Sequence, residues 1–378
     1  MSPSKMNALI YSLCATGLTS AAPHKREWYP TVNAIEELGN ISEPGLNRDS
    51  CGSVRIADRV LWACRDTQPY DGNGIPTTPV WSSSAGWTNF NAFGTPELGL
   101  YSPRYQVPFY PYSSDQCGGS SVGDCGDGTR YALWPDQPPI ITNSNGNTVT
   151  GYTWVRNTHI AGLDPVGGND PSTTLYKFVF DSGNSDRSAI PSPSIVNENW
   201  WGANSIPFGA YGSVVKDGTA YLFGQPSNKS VCLAKVPADS IEDRSRYQYY
   251  VNGAWTNSTP GLGDTGSCNI PNVSAGGQGT YYFSYHWNKW VWIGQGGFSV
   301  SSYFLVTTAD EIEGPWAEPK FFYQGHDGSY SLGAYTLQAH PGLSASGVAD
   351  SNAIFITYTK SDTNAQIYST PLVRITWN

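Results

Sequence analysis

The segment Asp49–Thr67, DSCGSVRIADRVLWACRDT, carries acidic residues at both ends of a strand, turn, strand pattern. If the turn lies at Ala57-Asp58, Cys51 faces Cys64 and Asp49 faces Asp66. Counted out from a two-residue turn, both pairs fall at non-hydrogen-bonded positions, where Cα atoms lie about 4.5 Å apart and side chains share a face. Two facing carboxylates repel and destabilise a strand pair. One of them can hold a proton through a raised pKa while the other stays ionised. Glycoside hydrolysis needs that asymmetry, an acid for the leaving oxygen and an ionised partner. In this register Arg48 and Arg65 should point to the opposite face of the strands. The spacing also fits two turn-capping aspartates outside the ladder.

A second chemical candidate is the run NENWWG, which sets Glu198 beside Trp200 and Trp201. Aromatic faces stack on sugar rings and a carboxylate holds hydroxyls, although one tryptophan of a strand pair would ordinarily face a core. No cluster has convincing metal-ligand spacing, so no metal or other cofactor is expected. No G-x-S-x-G elbow or phosphate loop is present.

The elements that must position these residues follow from composition. Only 13% of residues are charged, while 41 glycines, 27 prolines, 24 tyrosines and 14 tryptophans favour strands and turns over helices. Met6–Leu18, preceded by Lys5 and followed by small residues, has the layout of a secretory signal peptide over residues 1–22. Lys25-Arg26 offers a dibasic processing point. Without residues 1–26 the balance is 18 basic against 30 acidic residues, net −12, a poor match for nucleic acid or an anionic membrane. Cys14 leaves with the signal peptide. The remaining six cysteines imply disulfides, and we expect Cys51–Cys64, Cys117–Cys125 across a glycine-rich loop, and Cys232–Cys268. Sequons at Asn40, Asn228, Asn257 and Asn272 suit export.

Tyr211–Gln225 (YGSVVKDGTAYLFGQ) and Tyr281–Gln295 (YYFSYHWNKWVWIGQ) share Tyr, Gly and Gln at a constant offset, and both read as strand, turn, strand. The strand-like SNAIFITYT from Ser351 continues the period. The segments from Leu233 and Leu305 echo one another as strand, acidic turn and aromatic strand. A repeat of about seventy residues holds four short strands, so residues 27–378 are expected to form a single all-β domain, a β-propeller of five blades. Six blades, a sandwich pair or a β-helix remain the alternatives.

The opening motif RDSCGSVRIADRVLWACRDT resembles that of the family catalogued as domain of unknown function 4185, in which an Arg-Asp pair precedes a Gly-Ser hairpin ending in Asp-Thr. YGSVVKDGTAYLFG, VCLAKVPADSIED, EGPWAEP and YTLQAHPGL match in the family's order. Tyr70–Ile195 does not align. Part of that family is grouped with the endo-D-arabinanases of glycoside hydrolase family 183. The resemblance implies a propeller with Asp49 and Asp66 as the catalytic pair, and it places His340 near a pocket. Tyr335 and Tyr211 are further candidates to line the same funnel. Cys51 and Cys64 depart from the family pattern, which has Gly and a small or aromatic residue there.

These observations together predict a secreted, extracellular, monomeric glycoside hydrolase with a carbohydrate substrate and neither nucleic acid nor membrane as partner. The alternatives are a lectin-like propeller, which would repeat its pocket on every blade, and a polysaccharide lyase using His340 or Tyr335 as base.

Overall fold

A computed structural model describes residues 28–102, 108–168, 170–273, 276–297, 300–344, 352–362 and 367–378. The signal peptide and Lys25-Arg26 lie outside the described residues.

Strands rich in β-branched and aromatic residues, broken by turns that adopt positive φ, build antiparallel sheets throughout. The first sheet holds Cys51–Ile56, Arg59–Cys64 and Ser84–Thr88, with Ala57 at φ 54° in its turn. The second holds Ile140–Asn145, Thr148–Arg156, Thr173–Asp181 and Ser194–Trp201. The third begins with Gly212–Lys216 and Thr219–Gly224, joined at Asp217-Gly218, both of which have positive φ. The fourth runs Gly276–Ser284, Lys289–Gly296, Tyr303–Ala309 and Lys320–Gln324. The fifth combines Ala334–Ala339, Ala353–Asp362 and Pro371–Trp377 with the N-terminal strand Val32–Asn40, which pairs with Pro371–Trp377.

Apolar cores alternate with these sheets. Leu61, Trp87, Val155 and Phe178 fill the space between the first and second. Trp154, Leu175 and Leu222 lie between the second and third, and Phe223, Leu233, Tyr281 and Trp292 between the third and fourth. Ile293, Phe304, Leu337 and Ile356 join the fourth to the fifth. Val60, Trp62, Phe355 and Leu372 join the fifth back to the first. First strands of successive sheets touch in the same cyclic order, and that of the fifth touches that of the first. This is the radial arrangement of a β-propeller, in which each sheet buries both faces against its neighbours.

The period holds in the third and fourth sheets and fails in the fifth. Ser351–Thr359 was expected in phase with Tyr211 and Tyr281, which belong to first hairpins. Its described part from Ala353 lies instead in the second strand of the fifth sheet, because Ala339 and Ala353 stand too far apart in the sequence for a tight turn, and Ser351 lies outside the described residues. A small satellite sheet of Thr129–Ala132, Thr158–Ala161 and Asp164–Pro165 interrupts the period around the second sheet.

The structure joins Cys51 to Cys64, Cys117 to Cys125 and Cys232 to Cys268, the pairing read from the sequence. All four sequon asparagines are exposed. Among the described residues, no helix is long and apolar enough to cross a membrane.

Candidate active site

The first hairpin has the expected register, Cys51 opposite Cys64 and Ile56 opposite Arg59, with Cα atoms of the two cysteines 4.0 Å apart. Past the disulfide the ladder is bulged. The Arg65 N–H is shared between the carbonyls of Asp49 (2.9 Å) and Ser50 (3.2 Å), Asp49 N–H donates to Asp66 O at 2.8 Å, and Ser50 has φ 45°. Two residues of one strand thus oppose one of the other, which re-aims side chains. Asp49 and Asp66 therefore meet through a backbone hydrogen bond and not at the non-bonded position that regular counting gives.

The bulge also corrects the placing of the arginines. Arg65 lies near enough to Asp49 for its positive charge to act on that carboxyl, and it forms an ion pair with Asp136. Arg48 does turn away, into a buried ion pair with Glu43.

The two carboxyl groups occupy contrasting surroundings. Asp49 is 8% exposed, and its Oδ1 accepts the Ser50 hydroxyl at 2.6 Å. Burial pushes its pKa up, and the charge of Asp66 adds to this. Arg65 and hydrogen bonds from Ser50 and Tyr335 offset part of the rise. Asp66 is more open and accepts three N–H donors: Arg130 Nη1 on Oδ1 (3.1 Å), Arg130 Nη2 on Oδ2 (2.6 Å) and Trp134 Nε1 on Oδ1 (2.8 Å). This bidentate fork is the donor set of an ionised carboxylate. Of about four acceptor sites on a carboxylate, one on Oδ2 is left for a water or a sugar.

Arg130 comes from the satellite sheet and Trp134 from the connection that follows it, so the insertion delivers the partners of Asp66. Asp136, two residues on, pairs with Arg65 and lies 3.7 Å from Arg156 Nε. Sequence reading missed Arg130, Trp134, Asp136 and Arg156. The signal for Trp134 and Asp136 was LWPDQPP, an acid held between prolines in a stretch without period, and Arg130 and Arg156 carried none. Tyr368, also missed, is hydrogen-bonded to Tyr335 and feels the charges of both Asp49 and Asp66.

Of the other sequence candidates, Tyr335 joins the cluster by its hydrogen bond to Asp49. Burial, followed by the Asp49 charge, raises its own pKa. His340 does not join. It is fully buried against Trp62, with Nδ1 2.8 Å from Ser53 Oγ and Nε2 2.7 Å from Thr357 Oγ1, and burial pushes its pKa down to about 3. A neutral imidazole sealed between two hydroxyls holds three strands together and faces no substrate, so neither the pocket nor the lyase-base role fits it. Tyr211 is 4% exposed in the core between the third and fourth sheets. Trp200 and Trp201 are both buried beside Tyr247, and Trp201 Nε1 donates to Phe208 O at 2.7 Å. Glu198 is half-buried and lines a cavity of about 560 Å³ that Arg156 also lines.

The described residues contain one close His/Cys/Asp/Glu group, Cys117, Cys125 and His159. Its cysteines are tied to each other as a disulfide, which leaves no thiolate for a metal.

No family profile matches the chain, and no curated protein matches it. Solved structures do. A protein of Bacteroides ovatus, described provisionally as a hydrolase, superposes with a TM-score of 0.57 at 14% identity, over 90% of this chain and 87% of that one. The catalytic domain of a Coprinopsis cinerea family 62 α-L-arabinofuranosidase gives 0.47 at 9% identity, covering 93% and 98%. A family 43 glycoside hydrolase of Xanthomonas citri gives 0.47 at 10%, covering 89% of each chain. At these identities the first likeness speaks for the fold alone.

Proposed function

We propose that this chain is a secreted glycoside hydrolase built on one five-bladed propeller domain, with Asp49 as general acid and Asp66 as the ionised partner. The carrying observation is the opposed environment of two adjacent carboxyl groups. One is buried and pushed towards its protonated form; the other is clamped by a guanidinium and an indole with one lone pair free. Divergent environments divide acid from base in glycosidases generally. The lyase reading lacks a base, since His340 is sealed and Tyr335 has a raised pKa. The five interleaved cores support the blade count, and the three disulfides with exposed sequons support export. The opening-motif resemblance favours an arabinanase-like endo-enzyme among carbohydrate hydrolases. We take the unit to be a monomer with no nucleic-acid or membrane partner, given its acidic balance.

In this mechanism Asp49 donates its proton to the leaving glycosidic oxygen. The free Oδ2 lone pair of Asp66 engages the anomeric side, directly or through water. Tyr335 and Ser50 hold the Asp49 carboxyl, while Arg130 and Trp134 hold Asp66. The test is incubation of the secreted protein with plant, fungal and bacterial polysaccharides. Release of reducing ends that Asp49→Asn and Asp66→Asn both abolish supports the reading. Binding without products, or unsaturated products absorbing in the ultraviolet, refutes it.

A further inference from the structure

We propose that the cavity between the satellite sheet and the second sheet is a glycan-binding site for neutral sugar residues remote from the cleaved bond. This rests on the hydrolase reading above, because it assigns the cavity to the same substrate chain.

At about 560 Å³ the space falls within the range of small-ligand sites, and it can take a few sugar rings. Its wall offers a free acid. Glu198 is half-buried, and its backbone carbonyl is pinned by Asn157 Nδ2 (2.9 Å) and Thr174 Oγ1 (3.0 Å), yet no cation among the described residues pairs with its carboxylate. A carboxylate carried on a pinned backbone, with open acceptor sites, suits sugar hydroxyls, which donate. The wall also offers a fixed aromatic ring. Tyr131 and His159 face each other across the satellite sheet with centroids 4.4 Å apart and planes within 4°, and His159 Nε2 is held by Thr129 Oγ1 at 2.8 Å. A ring immobilised before binding gives up little entropy when a sugar packs on it.

The cavity borders the catalytic cluster through shared neighbours. Arg156 lines it and lies 3.7 Å from Asp136, which pairs with the Arg65 that neighbours Asp49. Tyr131 directly follows Arg130, whose side chain clamps Asp66. Arg130 and Tyr131 alternate across one strand, so in this proposal a chain bound at Asp66 rounds the satellite sheet to reach the cavity on its other face. Charge sets the class of sugar. Asp115 and Asp170 line the wall with Glu198, against Arg156, so a uronate would meet net repulsion. The substrate is thus a neutral chain or branch running several residues past the scissile bond.

The experiment uses a glycan array of neutral and uronic-acid oligosaccharides probed with full-length Asp49→Asn protein and with Asp49→Asn carrying Glu198→Gln. The near-isosteric change and matching melting curves keep folding out of the comparison. We expect neutral oligosaccharides to bind, with at least a tenfold loss on Glu198→Gln. Equal binding by both proteins, binding of uronates alone, or no glycan binding overturns the site. The hydrolase reading fails separately. If Glu198→Gln weakens glycan binding but the unaltered chain releases no reducing ends, the cavity stands without hydrolysis. If the chain hydrolyses and Glu198→Gln leaves KM for polymer unchanged, hydrolysis stands without the cavity.

Discussion

The first and third hairpins are the same device put to different ends. Both join two strands by a two-residue turn, and both are irregular at the entry of the first strand. In the third, Gly209 and Tyr211 both donate to Phe223 O, at 2.9 and 3.3 Å. Gly209 has φ 90°, and a Cβ there would sit 2.6 Å from the Trp154 ring, so the entry is packed shut by aromatic core. In the first hairpin the corresponding irregularity falls at Asp49-Ser50. The space is filled by carboxylates, three arginines and hydroxyls. A bulge by itself makes no site, and what distinguishes the two ends is which groups the neighbouring loops bring to it. The satellite insertion, present beside the first hairpin, supplies Arg130 and Trp134.

The comparison breaks most sharply on rate. Asp49→Asn and Asp66→Asn should each lower kcat on a polysaccharide substrate by about 10²–10⁴, the range for loss of a general acid or base. Tyr211→Phe in the third hairpin should leave it within about twofold. Arg130→Gln, which removes the fork on Asp66 without touching the first hairpin's backbone, should cost roughly ten- to a hundredfold, read as kcat with KM measured alongside. If Arg130→Gln is silent, the insertion does not build the site.

Acid stability should separate the regions next. His340 ties the first hairpin, through Ser53, to the fifth sheet. Burial holds its folded pKa at about 3, below the unfolded value near 6.5. Its contribution is therefore fully present above pH 6.5 and is lost as pH falls from there towards 3, a change of roughly 3–5 kcal/mol. Urea unfolding at pH 7 and pH 4 should show a steep loss in the natural protein and a flatter one in His340→Gln.

What could be read in the sequence was local. The first hairpin, its turn and the disulfide depend on a register that a few residues define, and alternation with Gly or Asp at turns exposes such a register. Arg65 was misplaced because one bulged residue shifts the phase, and Asp49-Ser50 contains no glycine to announce a positive φ. Trp200 and Trp201 were expected to split between faces. Pairing jumps from Leu175 opposite Asn197 to Thr173 opposite Trp201, so the strand is bulged and both rings turn into the core. Arg130 reaches the first hairpin from the satellite sheet, and Trp134 and Asp136 from the connection after it, a region with no period, and such contacts are fixed only by tertiary packing.

Smaller in effect is the disulfide of the first hairpin, which the third lacks at the equivalent place. Cross-linking a loop of this size restricts the unfolded chain by about 3 kcal/mol. Replacing Cys51 and Cys64 together with Ala should lower unfolding free energy by roughly 2–3 kcal/mol in denaturant titrations. Unchanged stability would mean that the bulge and its hydrogen bonds hold the carboxylates without the staple.

The finest discrimination lies in the bulge residue itself. Ser50 sits at φ 45°, where a side chain costs on the order of 1 kcal/mol relative to glycine. It also places Oγ 2.6 Å from both Asp49 Oδ1 and Thr336 Oγ1. Ser50→Gly removes the strain and the hydroxyl, whereas Ser50→Ala removes only the hydroxyl. Stability should therefore fall less in Ser50→Gly than in Ser50→Ala. The Ser50 hydrogen bond lowers the Asp49 pKa, so its loss raises it. An acid that is active while protonated then stays active to higher pH, and the alkaline limb of the kcat profile should move upward alike in both variants. A limb that stays in place in both would mean that Asp49 is not the group whose proton the reaction uses.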